Sequence, residues 1–167
     1  GDDFHVYVEK ECVSPLNDNP IKLMPLEMRE EFMNDINFAH LEQTPEDERD
    51  SMYNLSMEGE LNPRCRMFLN LLLKKYNGDW AAVMENHIRV IRRIHSETDR
   101  VGIGTFQPKD EKNQDSTELS GDMNFRMIGN YGADSDPRAF NYDGEFQVAN
   151  RGMCEFIEML KLDNAFL

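Results

Sequence analysis

Two glutamates near the carboxyl end of the sequence have the types and spacing of groups that do chemistry. The run MCEFIEML, Met153–Leu160, is apolar apart from Glu155 and Glu158. A carboxylate at the carboxyl end of a buried strand can polarise an attacking water, and that end of an open α/β sheet is where ligand crevices form. Read as a strand, the run puts Glu155 and Glu158 on opposite faces, so one site can use both only across a bulge. Read as a helix, Met153, Phe156, Ile157 and Leu160 fall at i, i+3, i+4 and i+7, and both glutamates face water. The strand is the preferred reading.

Other candidate motifs are weaker. Val101–Pro108 carries Gly102 and Gly104 and runs into KDEKNQD, so the segment is expected as an exposed loop, mobile as far as Asp115. That loop is closed by Thr117-Glu118-Leu119-Ser120-Gly121, a short helix expected to be capped by Ser116 or Thr117. The G-x-G pair lacks the third glycine and following helix of a dinucleotide fingerprint. Asp134, Asp136, Asp143 and Glu145 lack the alternate spacing of a calcium loop, and the first two are expected to cap the turn led by Pro137. Cys65 in NPRCR has Asn62 where a second thiolate would stand, too few ligands for zinc. Nowhere does G-x-x-x-x-G-K-[ST], H-R-D or D-F-G occur.

The elements that must position these groups come from 167 residues, enough for one domain with a real core. The formal charge is -14, from 32 acids against 18 bases, a field that repels nucleic acid and anionic lipid. No apolar run approaches the ~20 residues of a membrane span, so neither a membrane nor nucleic acid is an expected partner. Cys12, Cys65 and Cys154 suggest no disulfide framework, and a reducing cytoplasm is the expected compartment.

Alternation predicts a strand at Phe4–Val8 and a second extended segment over Cys12–Met24, making a hairpin. Pro25 at the first position opens a helix with Leu26, Met28, Phe32, Met33 and Ile36 on one face and Arg29, Glu30 and Glu31 in water. Three helices are expected between residues 44 and 87, starting at Thr44-Pro45, Asn62-Pro63 and Asp79, the second stopping near Asn77-Gly78. They are expected to form an α-helical insertion. His87–His95 is expected as a strand whose arginines make a solvated face, with phosphate or a neighbouring subunit as the alternative contact.

Two strings, DRVGIGTFQPKDEKNQDSTELSGDMNFR from Asp99 and DPRAFNYDGEFQVANRGMCEFIEMLKLD from Asp136, closely resemble the ATPase region of the PrkA serine protein kinase family. GELNPRCR, YNGDW and HIRVIRRIHSE extend the likeness toward the start. The resemblance implies an α/β, P-loop NTPase fold of AAA+ type, here as an internal part without its phosphate-loop strand and helix. The parts are residues 1–43 (hairpin and helix), 44–87 (insertion) and 88–167 (sheet and nucleotide motifs). It implies ATP and Mg²⁺ as cofactors of the intact parent, none for the isolated chain, which is expected to be inactive alone. A protein substrate and a homo-oligomeric parent are also implied. Met153–Leu160 is similar to the second nucleotide-binding motif, which makes Glu158 the match to the catalytic glutamate. Ile157 stands where that motif has aspartate, so Glu155 or Asp143 are the alternative acids. Gly102, Gly104, Lys109, Glu118, Leu119 and Gly121 correspond to a loop that projects toward a substrate or partner. The rival function is a non-enzymatic acidic interaction module.

Overall fold

The computed structural model describes residues 3–8, 12–108 and 115–159. Lys109 and Leu160 lie outside them. The fold is mixed α/β, with three small sheets among the described residues, one of them parallel. Strand β1 (Asp3–Val8) pairs antiparallel with β2 (Cys12–Val13), so a hairpin forms, but the segment expected to be extended as far as Met24 is strand only over those two residues and ends in a 3-10 turn at Pro20–Leu23. On its other edge β1 takes β3 (Ile88–Arg93), so the arginine-rich segment is a strand.

Helix α1 (Leu26–Gln43) is where sequence and structure differ most. Pro25 is its N-cap residue and not its first helical residue. Arg29, expected in water, is buried, because its guanidinium donates to the carbonyls of Gly59, Lys22 and Met24 and so closes three orphan acceptors. Leu26, Met28 and Phe32, expected to pack, are exposed.

Thr44-Pro45 begins only a 3-10 turn, Glu46–Ser51, and Thr44 instead donates its hydroxyl to the His40 carbonyl at the end of α1. A run of acids and one arginine offers no apolar stripe to bury, so no α-helix is stabilised there. The next two helices form as capped. In α2 (Pro63–Lys75) the Asn62 side chain accepts from Cys65 N, and Asn77 and Gly78 leave the helix at φ 54° and 85°. In α3 (Trp80–His87) Asp79 accepts from Ala82 N. Leu23, Leu61, Cys65 and Ile88 form the core between these elements, with Phe68, Leu69, Leu72 and Met84 packed on them.

Ser14, Asp18 and Asn62 form a buried polar knot. Asp18 accepts from Asn62 N at 3.0 Å and from Asn62 Nδ2 at 2.5 Å, and its backbone N–H donates to Ser14 Oγ at 3.1 Å. It joins the turn after β2 to the start of α2, 44 residues on.

The second half builds on β4 (Ile103–Phe106), followed by α4 (Thr117–Ser120), β5 (Asp122–Met123), α5 (Phe125–Tyr131), β6 (Phe140–Asn141), α6 (Glu145–Val148) and β7 (Met153–Phe156). β5 and β6 pair antiparallel. β4 and β7 pair in parallel from Ile103↔Met153 to Phe106↔Phe156. Val101–Pro108, expected as an exposed loop, is therefore largely a strand: Gly104 and Phe106 point inward, and Phe106, Leu119 and Phe156 make a second core.

Candidate functional site

The parallel pair sets the directions of every candidate acid. Met153 N–H donates to Gly102 O and Ile157 N–H to Phe106 O, each at 2.9 Å, so both ends of the pairing are fixed. The aromatic rings of Phe106, Phe156 and Phe146 pack along it at tilted angles, with centroids 5.8 and 6.0 Å apart.

Neither reading of Met153–Leu160 holds over its whole length. Met153–Phe156 is strand, and the chain turns at Ile157 and Glu158. Glu158 stands two residues past the carboxyl end of β7, at φ 56°, a left-handed conformation uncommon for a glutamate. The opposite-face relation expected of Glu155 and Glu158 does not arise, because only Glu155 is in the strand. Glu155 is exposed, in register with Thr105.

The acids that the structure does gather lie elsewhere. Glu118, Asp122, Asp143 and Glu145 line an open cavity of about 370 Å³, together with Thr117 and Asn141. Glu145 anchors one wall through two bonds at 2.9 Å, pairing Oε1 with Arg100 Nη1 and accepting the Thr105 N–H at Oε2. Arg100 Nη2 also donates to the Asp143 carbonyl at 3.1 Å. This clamp was not visible in the sequence, since nothing in the spacing of Arg100 and Glu145, 45 residues apart, links them. The Cys154 thiol nearby has its pKa pushed up, first by burial and then by the charge of Glu145.

The residues expected to form a projecting loop are mostly internal. Gly102, Gly104, Leu119 and Gly121 are buried, and Glu118 is exposed. A Cβ on Gly104 would meet the Glu145 carbonyl and Ala149 Cβ, so glycine there permits the close approach of α6 to β4. Ser116 is the N-cap residue of α4, as expected, but its side chain makes no capping bond. Asp115 Oδ1 accepts the Thr117 N–H at 2.9 Å, and this bond, with one from the Thr117 hydroxyl, lowers the Asp115 pKa. Asp136 does cap as expected, accepting from Arg138 N at 2.9 Å.

As a site for a magnesium nucleotide these residues are incomplete. Among the described residues no three of His, Cys, Asp and Glu are close enough together to hold a metal ion. The acid-lined cavity has no cationic lining residue, and Arg100, which pairs with the lining residue Glu145, is engaged by it. A triphosphate needs a lysine beside backbone N–H groups, and no lysine lines this cavity.

A family profile described as the PrkA AAA domain matches residues 2–167. The chain belongs to this family. Among relatives, "ATP-dependent protease PrkA" of Bacillus subtilis (strain 168) is 38% identical over 162 residues, which cover 97% of the chain and 21% of that protein. "Serine/threonine kinase YeaG" of Escherichia coli (strain K12) is 38% identical over 73 residues, 44% of the chain and 11% of that protein. The chain thus spans 21% of the length of the first of these PrkA-family relatives. No solved structure matches it. No helix among the described residues is long and apolar enough to cross a membrane.

Proposed function

We propose that this chain is part of the ATP-binding AAA+ domain of a PrkA-like protein, in which ATP hydrolysis drives protein phosphorylation or remodelling. The family match over 2–167 supports the domain. The relatives' names support the use of ATP and a kinase or protease output. The observation that carries the reading within the chain is Glu158, two residues past the carboxyl end of a strand in a parallel pair. That is the end of an α/β sheet where catalytic groups gather. Its left-handed backbone is a strained conformation for a glutamate, of a kind that clusters at functional sites.

In this proposal Glu158 orients a water, while the phosphate cradle, whose motif the sequence does not contain, comes from another part of the longer protein. Asp143 and Glu155 are the alternative acids. The division into a hairpin-and-helix part, a helical insertion and a sheet part, the protein substrate, the homo-oligomeric parent and the cytoplasmic location belong to the same proposal. Contact with a substrate falls to Glu118 and the segment beyond Pro108, where Lys109 lies.

The test is ATP turnover by the full-length protein. Glu158→Gln keeps size and hydrogen bonding but removes the charge, so hydrolysis falls by roughly 10²-fold or more while nucleotide still binds. Glu155→Gln leaves turnover near normal. Equal, near-normal rates for both variants remove Glu158 from the site.

A further inference from the structure

At the start of α1 lies an open hollow of about 380 Å³ that the ATP reading does not use. Its walls are largely apolar, from Leu61, Leu69, Leu73 and Trp80, and a volume of this order suits a small organic molecule. Gly59 also lines it, at the end of a segment, residues 52–59, that has no regular structure yet is tied along α1. There Asn37 donates to the Leu55 carbonyl at 2.8 Å and accepts the Leu55 N–H at 2.7 Å, and Arg29 Nη1 donates to Gly59 O at 2.8 Å.

The charge of this hollow runs against that of the chain. Lys22, Arg29 and Arg66 line it against one acid, Glu60, in a sequence whose formal charge is -14. Arg66 is paired with Glu60. Arg29 is 6% exposed, and among the described residues its guanidinium donates only to carbonyls, those of Gly59, Lys22 and Met24. No described carboxylate pairs with it, and that includes Glu30 and Glu58 of the neighbouring hollow that Arg29 also lines. Its Nε is buried and has no acceptor. Carbonyl dipoles replace the water of a buried cation but leave its charge unbalanced, which is costly. Lys22 has donors to give as well: its ion-pair partner Asp18 stands 3.7 Å from Nζ, beyond hydrogen-bond reach, and that carboxylate already accepts from Asn62. The helix start adds a third attraction. Pro25, the N-cap residue of α1, makes no side-chain cap bond, and Met24, Pro25 and Leu26 line the hollow, so the positive end of the helix stands uncapped beside both cations.

We propose that this hollow binds a free organic monocarboxylate with an apolar tail or ring, its carboxylate held by Lys22 and Arg29 at the start of α1 and its apolar body against Leu69, Leu73 and Trp80. One negative charge matches the one lining cation that no described acid pairs with. A polypeptide segment from the rest of a longer chain is a poorer occupant. Its backbone N–H groups need acceptors, and those of the walls are engaged: the carbonyls of Lys22, Met24 and Gly59 by Arg29, and that of Leu23 by Trp80 Nε1 at 2.8 Å. A hydrocarbon body asks for none.

The test titrates octanoate and phenylpropionate by calorimetry into this chain and into the full-length protein, with octanol, phenylpropanol and acetate as controls that lack the charge or the apolar body. In this chain Trp80, its only tryptophan, reports the same binding by fluorescence. At least one of the two carboxylates is expected to bind both proteins about tenfold or more tightly than its alcohol and than acetate, the margin that a charge-assisted hydrogen bond supplies. Its binding should weaken as salt shortens the Debye length from ~30 Å at 0.01 M to ~10 Å at 0.1 M. Lys22→Met is expected to weaken it about tenfold while leaving the alcohol's affinity unchanged, and Lys22→Arg, which keeps the charge, to retain it. Lys74→Met, exposed on α2, changes neither. Arg29 is left in place, because without it three carbonyls lose their donor. Equal affinity for acid and alcohol, no binding of either acid, or indifference to Lys22→Met overturns the proposal. Binding to this chain but not to the full-length protein overturns it too, because the rest of the protein then fills the hollow.

Discussion

At the scale of single residues, two short-range arrangements make measurable claims. Asp136 accepts from both the backbone and the guanidinium of Arg138, and these bonds hold its pKa at about 2, with the Arg138 side chain as the larger cause. Arg138 also lies over the Tyr131 ring, 4.0 Å from its centroid. The folded value lies below the unfolded one near ~3.9, so whatever stability the pair contributes is complete above that pH and is lost as pH falls toward 2. In an NMR carboxyl titration of Arg138→Gln, Asp136 should move up toward the ordinary value; an unchanged midpoint would show that Arg138 is not the cause. Asp18 makes the other claim. Its carboxylate satisfies two Asn62 N–H donors in the interior, so Asp18→Ala strands both and should cost about 2–4 kcal/mol in urea unfolding. A loss below ~0.5 kcal/mol, the range of ordinary surface changes, would mean that the knot is not what joins the turn to α2.

At the scale of elements, the contact of α6 with β4 depends on a missing side chain. Gly104→Ala puts a methyl against the Glu145 carbonyl and 3.2 Å from Ala149 Cβ, so α6 must shift at a cost of about 1–3 kcal/mol. Gly129→Ala, in α5 with open space around it, should instead stabilise by up to ~1 kcal/mol, and paired thermal melts separate the two. Elements set by local chemistry were legible in the sequence. Asn62-Pro63 and Asp79 announce α2 and α3 because the cap and its partner N–H are three residues apart. The β-branched run at 88–93 announces β3 in the same way. What was hidden depends on partners distant in sequence. Arg29 looks like a surface charge until Gly59 O, 30 residues away, gives it a place inside. Val101–Pro108 looks like a loop because its strand partner, β7, lies some fifty residues further on and supplies the pairing and the aromatic cover that its glycines cannot. Of the candidate site, the acids of 153–160 could be named from sequence. The Arg100–Glu145 clamp could not.

At the scale of the whole molecule, accessibility to protease follows packing and not charge density. The 3-10 turn Glu46–Ser51 and the irregular segment after it are exposed almost throughout, whereas Ile103–Phe106 is paired. Limited trypsin treatment should cut after Arg49 well before Arg93, which is 1% exposed, and mass mapping of the first fragments checks this. An earlier cut at Arg93 would show that β3 opens more easily than the segment along α1. The two halves of the fold are tied by a few long bonds. Arg93 Nη2 donates to the Asn150 carbonyl at 2.7 Å, Asn150 Nδ2 donates to Leu16 O at 2.5 Å, and Arg151 Nη1 to Asn17 O at 3.1 Å, the last two spanning 134 residues. A chain leaving the ribosome reaches Leu16 and Asn17 long before it reaches Asn150 and Arg151. The turn after the first hairpin must therefore wait, its carbonyls held by water, until nearly all of this sequence has been translated. Closing so long a loop comes late and slowly. A nascent chain arrested before Asn150 emerges should hold its capped helices, α2 and α3, without this latch.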